Sequence, residues 1–185
     1  MCRAGNCSAT SRRRFAALAA IFGLARLIGG GRSAHAAAPV RTLRLRSLHT
    51  GERLSAVYRR NGRLVAGNLA RIDRILRDHR TGEVLPIALA LLDLVHELAR
   101  TLSYDRPIAV ISGYRSPATN AMLAARGRGV ARNSYHIRGM ALDIRMPGVA
   151  LAELRDAALS LRRGGVGYYP DSDFVHVDIG PVRSW

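Results

Sequence analysis

The first 38 residues hold six arginines and no aspartate or glutamate, and this asymmetry limits what the chain can fold into more than any other feature. Arg12-Arg13-Arg14 directly precedes an apolar run from Phe15 to Ile28, which gives way to small residues and a cleavage-like Ala34-His35-Ala36 triplet. Paired arginines, an apolar stretch and a small-residue stop read together as a twin-arginine export signal, which predicts a periplasmic protein. The apolar run is about 14 residues, interrupted by Gly23 and Arg26. A spanning helix needs roughly 20, so no stable membrane insertion is expected after cleavage. Residues 39–185 then remain to fold, enough for one compact domain with a core of its own and too few for two.

Cys2 and Cys7 both precede the paired arginines. A chain cut near residue 36 therefore carries no cysteine, which excludes a disulfide framework and a thiolate metal site. Setting aside the six arginines of the signal takes the formal charge from +16 to +10. That charge favours anionic partners. Nucleic acid is not expected, because aromatics are few, no nucleic-acid motif is present and export removes the chain from that partner. A negatively charged cell-wall polymer suits the compartment better. The basic residues are all arginine, with no lysine.

Residue patterning predicts an α+β domain, a small antiparallel sheet with flanking helices. Thr42 to Leu48 alternates leucine with arginine, and a second half-alternating run reaches Tyr58 after His49-Thr50-Gly51-Glu52, as in a hairpin. Helical spacing runs from Asn68 to Arg80, and Pro86 opens a more continuously apolar helix to about Leu102. A strand follows from Arg106 to Ser112; Ser116-Pro117 then supplies a cap and first-turn proline for a helix to about Arg126, with a loop from Gly127 to Tyr135. Met140 to Met146 reads as a strand, Leu151 to Arg162 as a helix stopped by Gly164-Gly165, and Val166–Tyr169 and Phe174–Ile179 as two final strands. No internal repeat is present.

Three polar residues stand out in this frame: His136 before a glycine, Asp143 in the next strand, and His176 in the last strand between Val175 and Val177. Two imidazoles and one carboxylate suit catalytic zinc, since three protein ligands leave a fourth position for water. On Met140–Met146, Asp143 projects from one face while Leu142 and Ile144 pack inward on the other. Taken singly, each residue also fits a hydrogen-bonded histidine or a solvated aspartate, and spacing alone leaves both readings open. His35, His49, His79 and His96 have no second ligand at helical spacing and read as structural.

Ser112-Gly113-Tyr114-Arg115-Ser116, Ser134 with His136, Gly139, Leu142 and Asp143, and Phe174-Val175-His176-Val177-Asp178 resemble the M15-type zinc peptidases. With Gly164-Gly165-Val166-Gly167-Tyr168-Tyr169 and the final Gly180-Pro181-Val182-Arg183-Ser184-Trp185, residues 41–185 resemble more closely the murein endopeptidase K group. The resemblance implies zinc (Zn2+) held by His136, Asp143 and His176, hydrolysis of peptidoglycan cross-link peptides, and an Arg115 facing substrate. It leaves the general base open. Related dipeptidases carry a glutamate three residues before the last histidine, where this chain has Asp173. Asp178, two residues after His176 on the same strand face, could orient an imidazole or act on the water. Tyr114, Tyr135, Tyr168 and Tyr169 could line a groove. Two other functions share these residues: a non-catalytic zinc-stabilised wall-binding domain and a D,D-carboxypeptidase.

Overall fold

The computed structural model describes residues 40–126, 131 and 133–185. The expected export signal over 1–38 lies outside the described residues, as does part of the loop expected after Gly127. Alternation of leucine with arginine builds the opening hairpin, β1 (Arg41–Ser47) and β2 (Arg53–Arg60). In it Leu43, Leu45, Leu54 and Ala56 are buried while Arg44, Arg46 and Arg53 are exposed. A two-residue edge strand, β3 (Arg63–Leu64), extends it.

Helices α1 (Ala66–Ile75) and α2 (Leu89–Thr101) follow. After them come β4 (Ile108–Ser112), α3 (Pro117–Ala125) and β5 (Ala141–Arg145). The chain closes with α4 (Leu151–Leu161), β6 (Gly165–Tyr169), β7 (Phe174–Asp178) and β8 (Arg183–Ser184). Ser116 caps α3 as its sequence predicts, accepting a hydrogen bond from the Thr119 amide, with Pro117 in the first turn.

The eight strands form one sheet in the order β3-β2-β1-β4-β5-β7-β6-β8. The α+β class holds, but the sheet is larger than expected and mixed rather than antiparallel throughout. β4 runs parallel to β1, and β8 parallel to β6. A parallel pair needs a crossover, and the segment with α1 and α2 carries the chain back to lay β4 beside β1.

One apolar cluster joins a single face of this sheet to its helices. Leu43, Leu45, Leu142, Ile144, Val175 and Val177 pack with Ile72 of α1, Leu91, Leu92 and Leu98 of α2, and Leu154 of α4. Burying each large aliphatic side chain contributes about 1.5–3 kcal/mol. No helix among the described residues is long and apolar enough to cross a membrane.

Two helices are shorter than their patterns predict, each because polar groups near its end are used elsewhere. α1 stops at Ile75, and the Leu76 carbonyl beyond it accepts the Tyr114 amide at 2.7 Å. α2 begins at Leu89 rather than Pro86, and the Ile87 amide ahead of it donates to Asp73 at 2.9 Å.

Asp78, beyond the end of α1, is 2% exposed and accepts from the amides of Ser116 and Arg80, both at 2.9 Å. Burial would raise its carboxyl, but hydrogen bonds from Thr119, Arg80 and Ser116 hold it well below the ordinary carboxylate range. A carboxylate depressed in the folded state contributes stability above its unfolded pKa and loses it as pH falls toward the folded value. Asp78→Ala is therefore expected to cost about 1–3 kcal/mol at neutral pH. Urea melts should show the gap between variant and parent narrowing below pH of about 4; an unchanged gap would remove Asp78 from this role.

Candidate metal centre

Strand alternation sends Asp143, His176 and Asp178 to the sheet face opposite the apolar core. β5 and β7 pair so that Asp143 lies directly across from His176, and Gly167 of β6 follows in the same row. His136 arrives from a short 3-10 turn, Tyr135–Arg138, whose entry is capped by the Ser134 side chain. The turn ends at Gly139, with φ of 63°, where a Cβ would also lie 2.7 Å from the Pro86 carbonyl oxygen. Glycine is thus required both for the left-handed conformation and for the close approach.

The three side chains converge. His136 Nε2 lies 3.2 Å from Asp143 Oδ1 and 3.3 Å from His176 Nδ1, and the last two atoms are 2.8 Å apart. One ligand atom from each residue falls within 4.8 Å of the others, an arrangement that could hold a metal ion. A tetrahedral zinc centre with bonds of about 2.0–2.1 Å separates its ligand atoms by about 3.3 Å, close to the spacing here.

The outward ring nitrogens explain why these atoms face inward. His136 Nδ1 donates to the Gly113 carbonyl at 2.7 Å, which leaves the Nε2 lone pair for the centre. His176 Nε2 donates to Asp178 Oδ2 at 3.1 Å, which leaves Nδ1. Carbonyl and carboxylate oxygens only accept, so each partner fixes a tautomer and a ring orientation.

Asp178 is fully buried and its oxygens are all engaged. Besides His176 it accepts from the amides of Gly165 and Gly180, at 3.1 and 2.8 Å, and from Arg183 at 2.6 Å. Burial would raise its carboxyl, yet His176, Arg183 and the two amides hold it well below the usual range. Burial also works to raise Asp143, but the His136 and His176 rings lower it. For His176, burial lowers the pKa and the bonds to Asp143 and Asp178 outweigh it, raising it to about 8. A cation and a proton therefore compete for His176 Nδ1.

Arg115 stands over the centre on the loop between β4 and α3. Its Nη2 lies 3.6 Å from Asp143 Oδ2, the oxygen turned away from the histidines, and its other bonds, to Ser112 and Asn120, are 3.3 and 3.4 Å long. Burial lowers its pKa, opposed by Asp143. The loop is tied down by the Asp78–Ser116 bond, by the Arg115 amide donating to the His136 carbonyl at 3.2 Å, and by Gly113. A Cβ at Gly113 would collide with the Leu76 carbonyl.

The centre opens into a cleft of about 370 Å³ whose walls include Arg115, Tyr135, Tyr169, Phe174, Arg183 and Trp185. Tyr169 stacks on Phe174 with ring centroids 4.5 Å apart, and the Trp185 ring lies 5.4 Å from that of His176. Of the four tyrosines expected at a groove, Tyr135 and Tyr169 line the cleft, whereas Tyr114 packs in the apolar core and Tyr168 against it.

Asp173 is not brought to the centre. It occupies a left-handed turn position, φ 52°, more than half exposed, and pairs with Arg145 beside a neighbouring cavity. Sequence reasoning missed Asp78, and it noted Arg183 and Trp185 only as part of a terminal motif. A buried-acid signal was absent for Asp78, which lies 38 residues from Ser116, the partner it holds.

A family model described as peptidoglycan L,D-endopeptidase MepK, of the M15 peptidases, matches residues 35–185. The chain belongs to this family. The peptidoglycan L,D-endopeptidase MepK of Escherichia coli (strain K12) is 46% identical over 145 residues, covering 78% of this chain and 80% of that protein. A probable MepK of Haemophilus influenzae is 45% identical over 146 residues, covering 78% of each chain.

For a centre of this family, the contacts around His176 make a sharp expectation. Asp178→Asn should weaken metal retention by about 10–100-fold, whereas Asp173→Asn should leave it at the parent's level. Competition against a chromogenic chelator reads both, and equal losses in the two variants would contradict the placement of Asp178 behind His176.

Proposed function

We propose that this chain is a zinc-dependent peptidoglycan endopeptidase that hydrolyses L,D peptide cross-links in the periplasm after export by the twin-arginine route. The observation that carries the reading is the convergence of His136 Nε2, Asp143 Oδ1 and His176 Nδ1 beneath an open cleft, with the outward nitrogen of each ring bonded to a fixed acceptor. Membership of the family supports the reaction class, and the bond type follows that of the named relatives.

His136, Asp143 and His176 are the metal ligands in this reading. When bound, zinc supplies the Lewis acidity that peptide hydrolysis needs, acidifying water and polarising the scissile carbonyl. Arg115 presents a planar cation at the mouth of the centre, aimed at the substrate's carbonyl oxygen as negative charge develops or at a neighbouring peptide carboxylate. Asp178 holds the His176 ring in register and has no lone pair left to take a proton from water. Asp173 is assigned no part in the reaction, since its carboxylate is paired with Arg145. The Tyr169, Phe174 and Trp185 rings form a wall against which a peptide or sugar ring packs.

His176→Ala is expected to lose metal and hydrolysis together. Arg115→Ala is expected to keep its metal and lose turnover by about 10²-fold. Incubating zinc-loaded protein with muropeptide dimers of defined cross-link, then separating products by chromatography with mass detection, tests the reading. Monomers should appear from L,D dimers and disappear with a chelator. Loss of one terminal alanine from pentapeptides would point instead to a carboxypeptidase, and unchanged substrates with metal-loaded protein to a wall-binding domain.

A further inference from the structure

The sheet face that carries the metal centre also carries a row of arginines that the centre does not use. Arg53 of β2 lies directly opposite Arg46 of β1, Arg46 opposite Ala109 of β4, and Ala109 opposite Arg145 of β5. The next row along the same face is Ser112, Asp143, His176 and Gly167. Arg145 follows Asp143 by two residues on β5, so the two rows are about 7 Å apart. Arg106, on the approach to β4, completes a basic rim.

These arginines surround a second cavity of about 550 Å³ whose apolar lining includes Leu48, Tyr104, Pro107 and Val149. It adjoins the metal cleft: the adjacent residues Asp173 and Phe174 line one each, as do Asp143 and Arg145 on their shared strand. Like charges directly opposed across two strands destabilise a sheet, and Arg46 and Arg53 are such a pair. Among the described residues no carboxylate pairs with Arg46, Arg53 or Arg106. Arg106 donates to the Pro147 carbonyl and lies over the Tyr104 ring, and Arg145 alone has an acid, Asp173.

We infer that this cavity is an anion subsite continuous with the metal cleft, and that it binds a carboxylate of a neighbouring peptide stem on the peptidoglycan being cut. The inference rests on the peptidoglycan reading above. A carboxylate is the matching ligand because the anionic groups of that polymer's peptides are carboxylates, and the planar forks of arginine pair with them two bonds at a time. The apolar lining offers contact to the stem's methyl-bearing backbone. A site of this kind binds the polymer more than the single bond being cut, so it acts on attachment to the wall rather than on the chemical step.

The test compares zinc-loaded parent with the double variant Arg46→Gln/Arg53→Gln by co-sedimentation with purified peptidoglycan sacculi over a range of salt concentrations. A parallel set of sacculi has its carboxylates amidated. The variant should bind native sacculi about tenfold more weakly at low salt, a difference of about 1.4 kcal/mol. It should bind amidated sacculi as weakly as the parent does, while still cleaving a small soluble cross-linked dimer at the parent's kcat. Its melting temperature should equal or exceed the parent's, because a like-charge pair has been removed, which separates weak binding from misfolding. Equal binding of both proteins to native sacculi would overturn the subsite. A deficit that persists on amidated sacculi would overturn the carboxylate assignment and point to phosphate instead. Failure of both proteins to cleave the dimer would sink the peptidase reading while leaving the binding comparison intact.

Discussion

The register between β5 and β7 is the constraint on which the rest of the centre depends. It sets Asp143 directly across from His176 on one face while Leu142, Ile144, Val175 and Val177 fill the core on the other. A slip of β7 by one residue would turn its side chains over, placing His176 and Asp178 in the core and Val175 and Val177 outside. The hydrophobic burial that stabilises the domain therefore also selects the arrangement of its polar site. The geometry of the polar site and the stability of the fold share one cause here.

Around that register the protein supplies acceptors rather than more ligands. The Gly113 carbonyl and Asp178 decide which nitrogen of each histidine faces the centre, and each is held from a distance. Gly113 sits against the Leu76 carbonyl just past α1, in a loop that Asp78 anchors through Ser116. Asp178 is held by Arg183 and two amides, and Arg183 lies between the Tyr135 and Trp185 rings, 5.3 and 4.9 Å from their centroids. The early end of α1 and the terminal strand β8 thus reach the centre through one intermediary each. A substitution far along the chain, at Asp78 or Arg183, acts on the ligands without touching them.

The sequence made the three convergent residues legible because each lies in a local pattern: His136 ahead of Gly139, Asp143 in an alternating strand, His176 between two valines. Alternation also put Asp178 on the face of His176, as found. Asp173, which only comparison with related dipeptidases singled out, lies in a left-handed turn ahead of β7 and pairs with Arg145. The six longer strands were readable from residue types, but the two-residue edge strands β3 and β8 were not, nor was the parallel pairing of β1 with β4, which depends on how α1 and α2 pack rather than on either strand's own residues. The anchors Asp78 and Arg183 were not readable for a similar reason: an aspartate in a helical pattern and an arginine in an arginine-rich chain resemble solvated charges until the contact is formed.

The central claim is that Asp178 and Gly113 orient two imidazoles so that His136 Nε2, Asp143 Oδ1 and His176 Nδ1 bind one zinc ion. Anomalous diffraction at the zinc absorption edge, on crystals of the zinc-loaded protein, measures this directly. The account predicts a single strong peak about 2.0–2.2 Å from those three atoms, with His176 Nε2 still bonded to Asp178. A peak on His176 Nε2, or one bound by Asp178 or Asp173, would contradict it.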